Sequence, residues 1–171
     1  EYMWGPAMNA HDSVAFQAGL RGDGVVYEND GAIMAHGFGG LNLVVREGFG
    51  APNRPEVFGS FGSPALADNG RLGIFSSLDQ DSDKASIWTG WPGLLTLFAV
   101  ANEGAPSVDH FAGYSLTEAG AVYGSFGPSA RVRDMGGGHE IEAIVGGAGP
   151  IGTYSWMNSF QNDANAHSVM A

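Results

Sequence analysis

Three aspartates alternate along a short acidic stretch, and their spacing could serve a metal ion. The segment LDQDSDK at 78–84 places Asp79, Asp81 and Asp83 at every second position. Carboxylate oxygens that converge in a loop are ligands suited to Ca²⁺. Lys84 stands where calcium loops commonly have glycine, and no glutamate follows at the distance of the usual bidentate ligand. The stretch therefore predicts a Ca²⁺ site, with a solvated acidic loop as the alternative.

Aromatic residues form a second group of candidate ligands. The segments VVY at 25–27 and SIW at 86–88 are predicted to be equivalent strands that both end in an aromatic residue, and a further tryptophan follows at Trp91. Aligning the two segments predicts that the hairpin before Trp88 is three residues longer than the one before Tyr27. An exposed aromatic ring presents a flat apolar face on which a sugar can stack, whereas the same ring in the core contributes buried area. Tyr27, Trp88 and Trp91 are therefore candidate carbohydrate-binding residues, and a core position explains them equally well.

No catalytic residue is predicted. The five histidines show neither an i, i+4 pair nor an HExxH motif, and no G-x-S-x-G nucleophile motif is present. Glu47 and Glu103 occupy matching places in two similar segments, which favours a loop or interface role over a unique catalytic one. We therefore expect a non-enzymatic protein, with no cofactor other than the Ca²⁺ considered above.

Charge and hydropathy exclude two classes of partner. The 171 residues include 7 basic and 18 acidic ones, for a formal net charge of −11, which repels the phosphates of nucleic acids. The longest apolar run, around Leu94 to Ala101, is far shorter than the roughly 20 residues that span a bilayer. We expect neither nucleic-acid binding nor membrane insertion. The lack of cysteine excludes disulfides but leaves the compartment open.

Glycine content and periodicity predict an all-β fold. The 28 glycines are dispersed between short apolar runs, as tight turns between strands require. Helical periodicity is nearly absent, because Gly or Pro interrupts the apolar stripes. In the strands that follow two of the turns, Val14, Phe16 and Ala18, and likewise Leu72 and Ile74, are predicted to face the core.

A three-part pattern, which we call the frame, recurs along the chain. It consists of a turn residue, then glycine or a residue in its place three positions later, and then a strand. It starts at Asn9, Ala67, Thr117 and Asn162, with separations of 58, 50 and 45 positions. A second pair of similar segments, LNLVVREG at 41–48 and LFAVANEG at 97–104, supports the repeat. We divide the chain into units at 9–66, 67–116 and 117–161 and the start of a fourth at 162–171.

Units of this length with short antiparallel strands are typical of propeller blades. One such sheet buries its faces poorly and needs neighbours on both sides. The predicted fold is therefore an all-β, β-propeller-like array of antiparallel blades, with a β-sandwich as the alternative.

The frame also resembles a known family. Asn9 and Ala18 match the tandem NxxGxxxxxA repeat proteins of bacteria, with Asp12 at the glycine position, and SPALADNGRLGIFSS is similar to the repeat strand of TolB-like propellers. In the order and spacing of its parts, this resemblance covers nearly the whole chain. It implies a secreted or surface-displayed repeat protein and no catalytic residue.

We accordingly expect an extracellular or cell-surface scaffold or interaction module. The alternatives are a glycan-binding propeller lectin and a secreted hydrolase with a loop-built active site. Because the fourth frame stops at Ala171 within its first strand, we expect further blades or other copies of the chain as partners. The strand near Val169 would then pair with a strand outside the chain or with the segment around Val14 of a neighbouring copy.

Overall fold

Antiparallel strands make up more than half of the part of the chain that can be described. The structure is a computed structural model that describes residues 3–37, 39–101, 113–116, 122–126, 130–134, 139–144, 148–149 and 152–153. In this part the one helical element is a single 3-10 turn at Tyr27–Asn29. The all-β prediction is confirmed. No helix in the described ranges has the length and apolar character needed to cross a membrane.

The strands form three antiparallel meanders that follow one another along the chain. The first sheet has the order β1 (Met3–Met8), β2 (Val14–Gly19), β3 (Gly31–His36) and β4 (Leu41–Arg46). The second has the order β5 (Phe58–Phe61), β7 (Leu72–Leu78), β8 (Asp81–Trp91) and β9 (Leu94–Val100), and the short β6 (Ala65–Leu66) also pairs with β7. The third comprises β10 (Gly113–Leu116), β11 (Val122–Phe126), β12 (Ala130–Asp134) and β13 (His139–Ile144). A two-stranded ribbon, β14 (Ala148–Gly149) and β15 (Gly152–Thr153), follows.

The turns that lead into β2 and β7 have the same construction. Each is closed by a backbone hydrogen bond, from the Asn9 N–H to the Ser13 carbonyl at 3.1 Å and from the Ala67 N–H to the Arg71 carbonyl at 2.9 Å. The fourth residue of each turn is left-handed, with φ of 58° at Asp12 and 83° at Gly70. Aspartate and glycine tolerate this conformation better than most residues, which explains their use there.

A β-bulge interrupts the last pair of strands in every meander. Ile33 pairs with Val45 and Met34 with Leu43, which leaves Val44 as the extra residue. Phe98 is the extra residue between β8 and β9, and the pairing of β12 with β13 shifts in the same way. A bulge of this kind increases the twist of the sheet. Leu43 of β4 and Leu97 of β9 each directly precede the extra residue, so they occupy equivalent positions in the first and second sheets.

The main core lies between the first and second sheets. It contains the buried side chains of Ile33, Val45, Ala51, Phe58, Phe61, Ile74, Leu78, Trp88 and Val100. Full burial of one large apolar side chain contributes on the order of 1.5–3 kcal/mol, so this cluster is the main stabilising element of the described structure. A second cluster contains Leu116 of β10 together with Ala67, Ile87 and Phe98 of the second sheet. The third sheet therefore packs on the second through β10.

The inward face of β7 agrees with the sequence pattern, and that of β2 does not. Leu72 and Ile74 are fully buried as predicted. In β2 the buried residue is Ala15, whereas Val14, Phe16 and Ala18 are partly exposed. The small Ala15 packs with Ala35 and Leu72 in one buried cluster between the first and second sheets.

The prediction that VVY forms a strand equivalent to SIW is wrong. Residues 25–26 are not in a strand, and Tyr27 begins the 3-10 turn. The Asn29 side chain stabilises this bend, since its Oδ1 accepts the Val26 N–H at 2.9 Å and its amide donates to the Gly24 carbonyl. The strand equivalent to β8 is β3. The connection before β8 is also shorter than the one before β3, the reverse of the predicted difference.

Two other sequence-based assignments change with the strand register. The predicted match of Leu41 with Leu97 is out of register by two residues, because the bulges align Leu43 with Leu97. The matching of Glu47 with Glu103 used the same shifted alignment, and Glu103 lies outside the described residues. In the structure Glu47 corresponds to Ala101, because each donates its backbone N–H to a carbonyl of the facing strand, that of Gly31 in β3 or that of Ala85 in β8.

The segment around Val14 cannot accept an additional strand as predicted. Val14 pairs with Met8 on one side and His36 on the other, so both edges of β2 are occupied. Val169 and the predicted fourth unit lie outside the described residues. The division of the chain into units remains a prediction.

Candidate functional site

The acidic hairpin is a tight turn followed by a bulged strand. Asp79 and Gln80 connect β7 to β8 with φ of 51° and 58°, the conformation of a two-residue type I′ turn. The Asp79 carboxylate accepts the Val57 N–H at 3.0 Å and lies 3.3 Å from the Lys84 ammonium. The hydrogen bond from Val57, together with Lys84, lowers the pKa of Asp79. This carboxylate therefore already has partners.

The other two aspartates lie on β8. The Asp81 carboxylate accepts the Asp83 N–H at 3.0 Å. Leu78 pairs with Asp81, but the preceding residue Ser77 pairs with Ala85. The residues of β8 between these two partners therefore form a bulge. Within the residues that the structure describes, no group of three or more His, Cys, Asp or Glu side chains is arranged to hold a metal ion. The Ca²⁺ site at Asp79, Asp81 and Asp83 stays a prediction from the sequence.

Trp88 is a core residue. Its side chain is fully buried, and its ring meets that of Phe58 edge to face at a centroid distance of 5.0 Å. The indole N–H donates to the Ser86 hydroxyl at 2.8 Å, and this hydroxyl donates to the Ser76 carbonyl at 2.7 Å. With its polar atom satisfied and its ring enclosed, Trp88 presents no face to a sugar in this conformation.

Tyr27 and Trp91 are both accessible, and they belong to different sheets. The Tyr27 side chain is 83% exposed and that of Trp91 is 44% exposed. Tyr27 lies in the connection that precedes β3, whereas Trp91 is the last residue of β8, the strand equivalent to β3. Trp88, the third predicted aromatic residue, is enclosed in the core. The structure does not gather the three predicted aromatic residues into one site.

An apolar groove lies where the first two sheets meet. It has a volume of about 300 Å³ and is lined by Val44, Val45, Phe49, Gly50, Pro52, Phe58, Gly93, Leu94, Leu95 and Thr96. Leu94 is 71% exposed and Phe49 is 49% exposed. The only hydroxyl in the lining, that of Thr96, donates to the Thr89 carbonyl. The groove therefore offers apolar contact and almost no directional polar group.

Hydrogen bonds fix the wall of the groove formed by residues 47–57. Phe49 is held through its carbonyl, which accepts the Phe58 N–H at 2.8 Å, and Gly48 donates to the Phe58 carbonyl. Arg54 forms a two-point ion pair with Glu56, with distances of 3.0 and 2.9 Å, and this pair lowers the pKa of Glu56. The sequence analysis missed the groove, because its lining comes from parts of the chain that are distant in the sequence, residues 44–58 and 93–96.

Glu47 is a buried carboxylate with a structural partner. It is 7% exposed, and its Oε2 accepts the Gly31 N–H at 3.0 Å. Burial raises the pKa of Glu47, and the nearby Asp30 carboxylate adds to the increase, against the lowering effect of the Gly31 hydrogen bond. A Cβ atom at Gly31 would lie 2.5 Å from the carboxylate, so the Glu47 side chain packs directly against this glycine. Glu47 therefore anchors the start of β3.

The two equivalent turns contact each other directly, and we call this contact the loop joint (residues 9–13 and 67–71). The Asn9 amide donates to the Ala67 carbonyl at 3.0 Å. The Asp68 carboxylate accepts the Ala10 N–H at 2.9 Å. The joint therefore links the second residue of one turn to the second residue of the next.

Comparison with known proteins identifies a family. The model of a family of unknown function, DUF7453, matches residues 1–129. The chain belongs to the DUF7453 family. The DUF7453 match includes the loop joint, the apolar groove and both complete sheets that surround them, and it ends after β11. No curated protein and no solved structure matched the chain.

Proposed function

We propose that this DUF7453 chain is a non-enzymatic scaffold or interaction module built as a β-propeller-like array. In this proposal each meander is one blade, and the partners are further blades or other copies of the chain. The resemblance to tandem repeat proteins supports an extracellular or cell-surface location. The observation that carries the interaction role is the apolar groove, with its exposed Leu94 and Phe49 at a blade boundary.

Successive sheets meet through matching parts, which favours an array over a β-sandwich. The first sheet contacts the second through the loop joint, where Asn9 reaches Ala67. The third sheet contacts the second beside the same turn, since Leu116 of β10 packs in one cluster with Ala67. Leu116 directly precedes the third repeat start at Thr117, as Leu66 precedes Ala67. A common mode of stacking can be continued to further sheets, whereas a sandwich of two sheets is complete.

The groove supports association because of its composition. An apolar surface at a boundary between sheets gains free energy when it is removed from water. Net charge opposes contact between copies, since each chain carries a formal charge of −11. Salt at physiological strength reduces this repulsion, because it screens charges beyond roughly 8 Å. Self-association through the groove should therefore increase as salt is added.

Light scattering across a series of protein and salt concentrations tests this proposal. The wild-type protein should exceed the monomer mass at high concentration, and Leu94→Lys should restore the monomer. Met8→Lys is the matched control, because Met8 is 72% exposed and does not line the groove. A wild-type protein that stays monomeric in every condition would contradict association through the groove. The same conclusion would follow if Leu94→Lys and Met8→Lys reduced self-association equally.

Glycan binding is a second candidate that the exposed ring of Trp91 favours. A glycan array with wild type and Trp91→Ala provides the test. Binding that Trp91→Ala removes would support a lectin, and an array without any bound glycan would exclude this candidate for the sugars presented.

A further inference from the structure

The connection between β2 and β3, residues 20–30, is much longer than the chain topology requires. In the second sheet the equivalent strands β7 and β8 are joined by Asp79 and Gln80 alone. The β2–β3 connection also adds no residue to the hydrophobic core, because none of residues 20–30 is buried. Neither topology nor core packing therefore explains its length.

The connection nevertheless has a defined conformation. Arg46 of β4 is hydrogen-bonded to this connection. Its Nε donates to the Asn29 carbonyl at 2.7 Å, and its Nη2 donates to the Asn29 side-chain oxygen at 2.9 Å. Leu20 donates its N–H to the Asp30 carbonyl, and Glu47 accepts the Gly31 N–H at the next position. Ordering such a segment costs conformational entropy of roughly 1–2 kcal/mol per residue. Binding surfaces are often built from loops held in this way on a rigid sheet.

Two adjacent apolar side chains occupy the exposed part of this connection. Val26 is 55% exposed and Tyr27 is 83% exposed. The side chains of Asp23 and Glu28 on either side are also exposed, and Asp30 is partly exposed. Two basic residues lie nearby, Arg46, which is hydrogen-bonded to the neutral Asn29, and Arg21, which is two residues before Asp23. The three carboxylates outnumber these two guanidinium groups, and the whole chain carries a formal net charge of −11, so the surface around the apolar pair has a negative potential.

We propose that the β2–β3 connection is a binding site for a polypeptide with a cationic, partly apolar surface. The Val26 and Tyr27 side chains would contact its apolar part. Lysine or arginine would lie over the Tyr27 ring and near the carboxylates of Asp23 and Glu28, because the ring face and the carboxylates both attract cations. No residue of this connection lines the apolar groove, and the inference does not depend on self-association.

Binding of short peptides to the full chain tests this inference. The probes are a peptide containing arginine and leucine and a matched peptide in which glutamate replaces arginine. The arginine peptide should bind and the glutamate peptide should not, and added salt should weaken binding. Tyr27→Ala should weaken binding about tenfold, the scale seen when an aromatic anchor is truncated. Tyr27→Phe keeps the ring and should bind nearly as wild type does.

The variants should fold normally, since Tyr27 is almost fully exposed, and unchanged melting temperatures would verify this. Met8→Ala is the control for loss of an exposed apolar side chain elsewhere. Equal binding of the two peptides, or no effect of Tyr27→Ala, would overturn the inference. Failure of the arginine peptide to bind would also overturn it, as would binding of oligosaccharides in its place.

Discussion

The loop joint makes a quantitative prediction about Asn9. Its side chain accepts the N–H groups of His11 and Ser13 at 3.0 Å each, and it donates to the Ala67 carbonyl at 3.0 Å. A further contact, to the Asp68 carbonyl, is longer at 3.4 Å. A typical hydrogen bond contributes a net 0.5–1.5 kcal/mol, so Asn9→Ala should lower the free energy of unfolding by roughly 2–3 kcal/mol.

A second substitution separates the turn from the joint. Asn9→Asp keeps the two acceptor bonds within the turn but cannot donate to Ala67, and it places a carboxylate beside that carbonyl. We therefore expect a loss of roughly 1–1.5 kcal/mol, from the missing bond between the sheets and the new repulsion. Asn42→Ala is the control, since Asn42 makes one local bond to the Gly40 carbonyl at 3.0 Å.

Urea unfolding of the four proteins measures these differences through the midpoint and slope of the transition. The expected order of stability is wild type, then Asn42→Ala and Asn9→Asp, then Asn9→Ala. If Asn9→Asp is as stable as wild type, the bond to Ala67 contributes nothing. If Asn9→Ala loses no more than Asn42→Ala, the reasoning about the joint fails.

Four other predictions concern the core, the buried carboxylate and the acidic hairpin. Gly31→Ala should lower the melting temperature, because its Cβ would displace the Glu47 carboxylate. Burial raises the pKa of Glu47, so the folded state binds a proton more tightly than the unfolded state does. The free energy of unfolding should therefore fall as pH rises from about 4.5 through the raised pKa. Urea unfolding of Glu47→Gln should not show this fall. Trp88→Ala should cost about 3–5 kcal/mol in urea unfolding, and a cost below 1 kcal/mol would show that the ring is not in the core. If the hairpin aspartates bind Ca²⁺, added calcium should raise the melting temperature of wild type but not of Asp81→Asn, and equal values with calcium and with a chelator would exclude the site.

The fold class could be predicted because it depends on local chemistry. Glycine at turns and the absence of helical stripes fix an all-β chain, and the left-handed positions at Asp12 and Gly70 follow from residue type. The strand VVY could not be excluded in this way. Its apolar residues fit a strand, and the bend depends on Asn29 and on Arg46, which is distant in the sequence.

The candidate sites were less predictable because burial depends on tertiary packing. Tyr27 and Trp88 look alike in the sequence, yet one is exposed and the other enclosed by Phe58. The apolar groove combines β4, the 47–57 connection and the start of β9, so no local pattern contains it. The bulges also shift the alignment of the outer strands, which sequence similarity between leucine-rich segments cannot detect.

Disulfide trapping between matching turns tests the propeller-like array most directly, because the chain has no cysteine of its own. The pair Ala10→Cys and Asp68→Cys spans the loop joint and should form a disulfide within one chain. The pair Asp68→Cys and Glu118→Cys occupies the same frame positions in the second and third units. The array predicts that this pair also forms a disulfide. A disulfide in the first pair and none in the second would contradict the array and favour a sandwich of two sheets.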